Sequence, residues 1–215
     1  MRERNTSDRP PRQERALRTR ESVISAAASV FDRQGFGATR LDEIAAAAGV
    51  SKGALYFHFA SKSAIAVAII EHHHARGAKL VLDSQNWGLD GLSTVERFIN
   101  ELAISYQRDT LTRAGIRLGN EYRTIGTEVP VPVADCIGWV GRLLRNARSD
   151  GTLDSAVEPT AAARIVVGSF FGIQEMSAQL TNCRDLIQRV HEWWAFIRPA
   201  LTAGPRDSLA QEPVA

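Results

Sequence analysis

Apolar residues recur at helical spacing along almost the whole chain, and the strict alternation of a half-buried strand never lasts more than a few residues. Leu17, Ile24, Ala28 and Phe31 form one stripe and predict a first helix from about Gln13 to Gln34, ending at Gly35. Leu41, Ile44, Ala45 and Ala48 give a short second helix one small apolar face over about 40–48. Leu55 and Phe59, four apart, anchor a third at about 52–58, and Ile65, Ala68 and Ile69 line a long fourth from Ser61 to about Leu82. A loop follows at 86–91, then helices at about 92–108, 111–121, 133–149, 159–181 and 185–201. Breaks fall at Gly126 to Pro132, at Asp150-Gly151 and at Asn182. The pattern predicts an all-α protein.

The segment from Thr39 to Lys62 carries the most information. A helix, a tight turn and a second short helix fit into about twenty residues, the layout of a helix-turn-helix DNA reader. Thr39 with Asp42 makes a capping arrangement at the first start, and Gly49 supplies the left-handed turn residue. Ser51 caps the second helix, while Gly53 and Ala54 keep its outer face thin enough to approach base edges. Lys52, Tyr56, His58 and Lys62 are placed to meet phosphates, with Thr39, Arg40 and Arg18 as further contacts. An αα-corner in an ordinary helical domain needs the glycine, but not small, basic and aromatic residues together.

Ser51-Lys52-Gly53-Ala54-Leu55-Tyr56-Phe57-His58-Phe59, followed by Ser61-Lys62, resembles the signature of the TetR family of transcriptional repressors. The resemblance implies three N-terminal helices that bind DNA and a larger helical domain that binds a small molecule and forms a homodimer. It covers residues from about Arg12 to Leu201 and implies a basic arm at 1–11, a reading head at 12–60, a ligand-binding and dimerisation domain at 61–202 and a polar tail at 203–215. The fourth helix would join head to remainder, where a ligand-driven tilt could be transmitted.

Two apolar helices, 159–181 and 185–201, are the expected dimer surface. Gly168 and Gly172, four apart, leave a shallow groove for another helix, and the adjacent Trp193 and Trp194 cannot both face one core. Gly168-Ser169-Phe170-Phe171-Gly172-Ile173-Gln174 and Pro130-Val131-Pro132-Val133-Ala134-Asp135-Cys136 are similar to segments of the γ-butyrolactone autoregulator receptors and their furan- and butenolide-sensing relatives. Many of those carry a Pro-x-Pro-Tyr-x-(Asp/Glu)-Trp run whose Trp lines the ligand pocket. Here Val133 falls where the Tyr stands and Cys136 where the Trp stands, with Trp139 one helical turn on. The implied effector pocket lies near Tyr106, Val133, Cys136, Trp139, Phe171 and Gln174, widened at Cys136.

Charge adds one point. The chain of 215 residues has a net charge of +2, yet its first twenty residues hold seven arginines against Glu3, Asp8 and Glu14, so the remainder is slightly acidic. A basic arm beside a helix-turn-helix can track phosphates. The positive total also resembles the orphan or pseudo-receptor members of the receptor group.

Other chemistry is weakly represented. Cys136 and Cys183 fit no metal spacing or disulfide framework, and no run approaches the roughly 20 apolar residues that cross a bilayer. The charged N-terminus lacks the apolar stretch of a secretory signal, so a cytoplasmic protein is expected. His72-His73-His74 point about 100° apart on a helix and cannot chelate one ion from one face. With no nucleophile elbow, zincin motif or phosphate loop, no enzyme and no cofactor is expected. The competing readings are a helical small-molecule binder or enzyme with a vestigial reading head, and a DNA-binding regulator without a ligand.

Overall fold

Nine helices have described bounds: α1 Arg12–Ala38, α2 Leu41–Ala48, α3 Lys52–His58, α4 Lys62–Ser84, α5 Gly91–Arg108, α6 Thr110–Asn120, α7 Pro132–Ser149, α8 Pro159–Thr181 and α9 Leu186–Leu201. The computed structural model describes residues 12–121, 125 and 132–202. The arm at 1–11, the break at 126–131 and the tail at 203–215 lie outside them. Among the described residues there is no strand, only an isolated antiparallel bridge between Leu153 and Thr202.

The chain forms two compact units, and the division differs from the expected one at residue 60. One unit contains the described residues of Met1–His74 and Thr110–Val129, the other those of Ala75–Asp109 and Pro130–Ala215. The first unit takes in the start of α4 and all of α6 because their apolar residues belong to its core. Ile65, Ala66, Ile69 and Ile70 of α4 and Ala114 and Leu118 of α6 are buried in one cluster with Val23, Ala27, Phe31, Ile44 and Leu55. Gly115 lets α6 lie against α4, since a Cβ there would stand 2.6 Å from that of His73. Arg113 binds the Asp32 carboxylate through Nε and Nη2 at 3.0 and 2.9 Å, a contact 81 residues apart in sequence.

Two local expectations are corrected. Leu17 is 56% exposed and outside the core, which begins at Val23. Thr39 does not cap α2. Its hydroxyl donates to the Gly35 carbonyl at 2.7 Å, closing the last turn of α1, so the cap passes to Arg40. The Arg40 N–H donates to the Glu43 carboxylate at 3.0 Å, which with Gln34 holds that carboxyl below its usual range. Asp42 is thereby free for a partner on α3.

In the second unit α5 packs on α7 and α9, α7 on α8, and α8 on α9. Leu92, Phe98, Ile99, Leu144, Val166, Phe170, Leu186 and Trp194 are buried there. The α8–α9 corner turns through Asn182 and Cys183, both at positive φ (55° and 63°). Asp185 fastens that corner, accepting from Ser177 Oγ at 2.6 Å, Thr181 Oγ1 at 2.7 Å and Arg189 Nε at 2.8 Å. The hydroxyl donors, then Arg189, hold its pKa at about 2.

Candidate functional site

The first candidate is the outer face of α2 and α3. Gly49 adopts φ 66°, ψ 28° and its N–H closes α2 on the carbonyls of Ala45 and Ala46, a left-handed cap that favours glycine. Ser51 then starts α3 by accepting the Ala54 N–H at 3.2 Å. Leu55 and Phe59 are buried, as their spacing requires, though Phe59 sits in extended backbone just past the helix end. With Leu55 inward, the residues around Gly53, Tyr56 and Phe57 face outward. Tyr56 is 47% exposed and Phe57 is 78% exposed, the latter meeting His58 edge-on at 5.1 Å. A large aromatic left this open on a short helix has no role in its own core. Sequence reading passed over Phe57 because its neighbours Tyr56 and His58 carry the polar atoms.

The candidate cations have different surroundings. Lys52 is exposed and pairs with Asp42 at 2.8 Å, tying α3 to α2. Hydrogen bonding to Lys52, then its charge, lowers the Asp42 pKa, and Asp42 raises that of Lys52 in return. Arg40 is exposed at the start of α2. Arg18 is exposed and pairs within α1 with Glu14, while Arg20 lies over the Phe59 ring at 5.1 Å.

Two proposed contacts have other duties. Thr39 is buried with its hydroxyl engaged, so its side chain is withdrawn from direct contact. Lys62 is half-buried, with its ammonium on the carbonyls of Phe36 at 2.7 Å and Thr39 at 2.8 Å and over the Phe36 ring at 4.3 Å. It staples the end of α1 to α4 instead of pointing at solvent. Lys62→Met should therefore destabilise the fold by about 1–3 kcal/mol, the range for losing charge-assisted bonds to carbonyls. Urea denaturation of wild type and variant checks this, and an unchanged midpoint would return Lys62 to the DNA-contact set.

The second candidate is the apolar interior of the second unit, between α5, α7, α8 and α9. Tyr106 is buried and meets Phe170 edge-on at 5.7 Å, and Phe170 meets Phe171 at 5.9 Å. Phe170 is thus the aromatic against Tyr106, with Phe171 half-buried behind it. Burial, then the nearby Cys136 and Cys183, push the Tyr106 phenol upward. Burial pushes the Cys136 thiol to about 11, so it remains protonated and behaves as a small apolar group. Gln174 and Trp139 are buried as well. The Trp139 indole N–H has no acceptor among the described residues, and Arg142 covers its ring at 4.9 Å. Val133 is exposed at the start of α7.

The expected dimer residues divide. Gly168 and Gly172 are exposed, and no described atom lies within 4 Å of a Cβ built on either. Trp194 is buried within its own chain, a correction to its assignment as an interface residue, while Trp193 is half-buried.

The model for bacterial regulatory proteins of the tetR family matches residues 23–69, the span that holds the capped α2–α3 pair. The A-factor receptor protein of Streptomyces griseus is 36% identical over 190 residues, 88% of this chain and 66% of that protein. A solved structure reporting the molecular basis for control of antibiotic production by a bacterial hormone is 34% identical, with a TM-score of 0.78 over 87% of this chain and 99% of its own. The chain belongs to the TetR family. CprB from Streptomyces coelicolor, solved in complex with its biological operator sequence, is 30% identical with a TM-score of 0.79, covering 89% of this chain and 92% of that one. This TetR-family chain is therefore a DNA-binding transcriptional regulator. Its likeness to a solved γ-butyrolactone receptor (ArpA-like protein), 29% identical with a TM-score of 0.70 over 89% of this chain and 91% of that one, extends through both units.

Proposed function

We propose that this protein is a homodimeric repressor that binds a pseudo-palindromic operator through α3 and is released by a small hydrophobic effector held among α5, α7, α8 and α9. The observation that carries the DNA half is the outer face of α3. It is short, capped at both turns and thin at Gly53, with Tyr56 and Phe57 presented outward. Arg40 and Lys52 supply charge beside it, and the operator-bound CprB supports the same use of the fold. One such head contacts too few bases for useful specificity, so two should read half-sites about 34–36 Å apart or a multiple of that. The test is selection of duplexes from a random pool by the purified protein, then footprinting. A two-fold symmetric footprint is expected. An asymmetric footprint, or no duplex retained at moderate salt, would favour a helical small-molecule binder with a vestigial head.

For the effector half, the relatives named for γ-butyrolactone and A-factor suggest a signalling molecule or antibiotic-type ligand, and control of secondary-metabolite genes in the cytoplasm. Small-ligand pockets are mostly apolar with a few polar anchors. Tyr106, Phe170 and Cys136 supply the apolar wall, and the buried Trp139 N–H is suited to a carbonyl or ether oxygen of the effector. An effector shifts the population by the difference in its affinity for the DNA-competent and DNA-incompetent states. Cys136 is far smaller than the Trp of the receptors it resembles, so the native ligand should be bulkier there. Cys136→Trp should weaken release by that ligand by about tenfold or more, the scale of overfilling a packed site. Titrating operator release with butyrolactones and larger antibiotic intermediates checks this. Release of the unmodified protein by simple γ-butyrolactones at ordinary receptor concentrations would remove the widened-pocket reading.

A further inference from the structure

The hydrogen-bond ladder of α1 is interrupted at one place, and the interruption is filled by an ion pair from α6. Gly35 sits at φ 75°, ψ 179°, far from helical values, so the chain kinks there. In an unbroken helix the Phe36 N–H would donate to the Asp32 carbonyl, four residues earlier. Such dihedrals at the intervening Gly35 break that helical geometry, and each group takes another partner. Glu121 and Arg117 take up both ends. The Phe36 N–H donates to Glu121 Oε2 at 2.7 Å, and Arg117 Nη1 donates to the Asp32 carbonyl at 2.9 Å. Arg117 Nε and Glu121 Oε1 are themselves joined at 3.1 Å. Gly35 is open enough to admit the pair: a Cβ there would stand 2.6 Å from Glu121 Oε1 and 2.9 Å from Arg117 Nη2.

The four residues after the kink, from Phe36 to Thr39, lead directly into α2. Beyond the kink, the Phe36 carbonyl and that of Thr39 receive the Lys62 ammonium, and Arg40 then opens α2. The direction in which the chain leaves the kink therefore sets where α2, and α3 behind it, are presented. We propose that the Arg117–Glu121 pair is a positioning device for operator binding, which replaces the lost Asp32–Phe36 helical bond and fixes the angle of the α2–α3 reading head. An acceptor is required on the Phe36 side and a donor on the Asp32 side, so the polarity of the pair is part of the device. A pair acting only as surface charge would lack that polarity requirement.

This inference rests on the repressor reading, and its test separates the two. Full-length wild type, Glu121→Ala, Glu121→Gln, Leu118→Ala and the double exchange Arg117→Glu with Glu121→Arg are titrated against the duplex selected by wild type and against an unrelated duplex. All titrations are run well below every melting transition. Glu121→Ala and the double exchange are expected to lower operator affinity by about tenfold or more, with unrelated DNA changed by less than about threefold. Glu121→Gln keeps an acceptor for the Phe36 N–H and should recover most of the loss. Leu118→Ala, a buried truncation in the same helix, should lower the melting temperature while leaving operator affinity near wild type. Operator affinity of Glu121→Ala equal to wild type, a loss no larger than that of Leu118→Ala, or full binding by the double exchange would each overturn the proposal. If Glu121→Ala does not fold, the contrast between Glu121→Gln and the double exchange decides it. A wild type that selects no duplex overturns the repressor reading, and this proposal with it.

Discussion

Gly53→Val is expected to reduce operator binding to the level of unrelated DNA, a loss of about a thousandfold or more, while the folded state is untouched. Gly53 is the second residue of α3 and is exposed, and a Cβ built on it meets no described atom within 4 Å. Valine at such a site costs the isolated protein nothing in packing, and it is no worse than glycine in a helix. Any loss must therefore arise where DNA approaches. The N-terminal residues of a recognition helix come closest to base edges, so an added isopropyl group there holds the whole helix out of the groove. Gly53→Ala should fall between, because one methyl group displaces the helix less. Anisotropy titration at fixed salt, paired with thermal melts, separates the two effects. Unchanged operator affinity in Gly53→Val would remove α3 from the groove.

The outer face of α2 and α3 is legible in the sequence for a local reason. Caps and turns are written in adjacent residues: Ser51 with Ala54, Gly49 with Ala45, and the apolar pair Leu55 and Phe59. The bounds of α3 and α8 follow from the sequence pattern to the residue, and those of α2, α5, α6, α7 and α9 to within one. What escaped depends on residues far apart in the chain. Arg113, Arg117 and Glu121 look like an ordinary solvated face of α6, yet they hold Asp32 and Phe36 some eighty residues earlier. Lys62 reads as a phosphate contact from its place after the third helix, and only the fold shows two carbonyls already under its ammonium. The assignment of α6 to the head's unit was likewise invisible, because the α6 apolar residues do not announce which core they join. On the ligand side, Tyr106 is legible as an inward position, whereas its pairing with Phe170 in place of Phe171 depends on a rotation of α8 that periodicity cannot resolve.

Replacing Gly168 or Leu180 with arginine should leave the chain folded and helical but split the proposed dimer, and with it tight operator binding. Helix α8 is apolar on two opposite sides. Val166, Val167, Phe170, Gln174 and Ser177 face inward and are buried. Ile165, Gly168, Gly172, Met176 and Leu180 recur at spacings of three and four on the other side, where Ile165 is 63% and Leu180 69% exposed. On the neighbouring α9, Phe196 is 84% exposed beside the half-buried Trp193. A helix apolar on both sides belongs between two layers, and the second layer here is best supplied by the same face of another copy. The glycines fit that arrangement, since they let a partner helix come close. A charge forced into such a contact costs several kcal/mol, about a hundredfold or more in the dimer dissociation constant. Sedimentation across a concentration series is then expected to find dimers for wild type and monomers for the variants, with an unchanged helical circular dichroism spectrum. Operator affinity should collapse in parallel, because a single head loses the second half-site. Monomers that still bind operator tightly would break the link between this face and DNA reading.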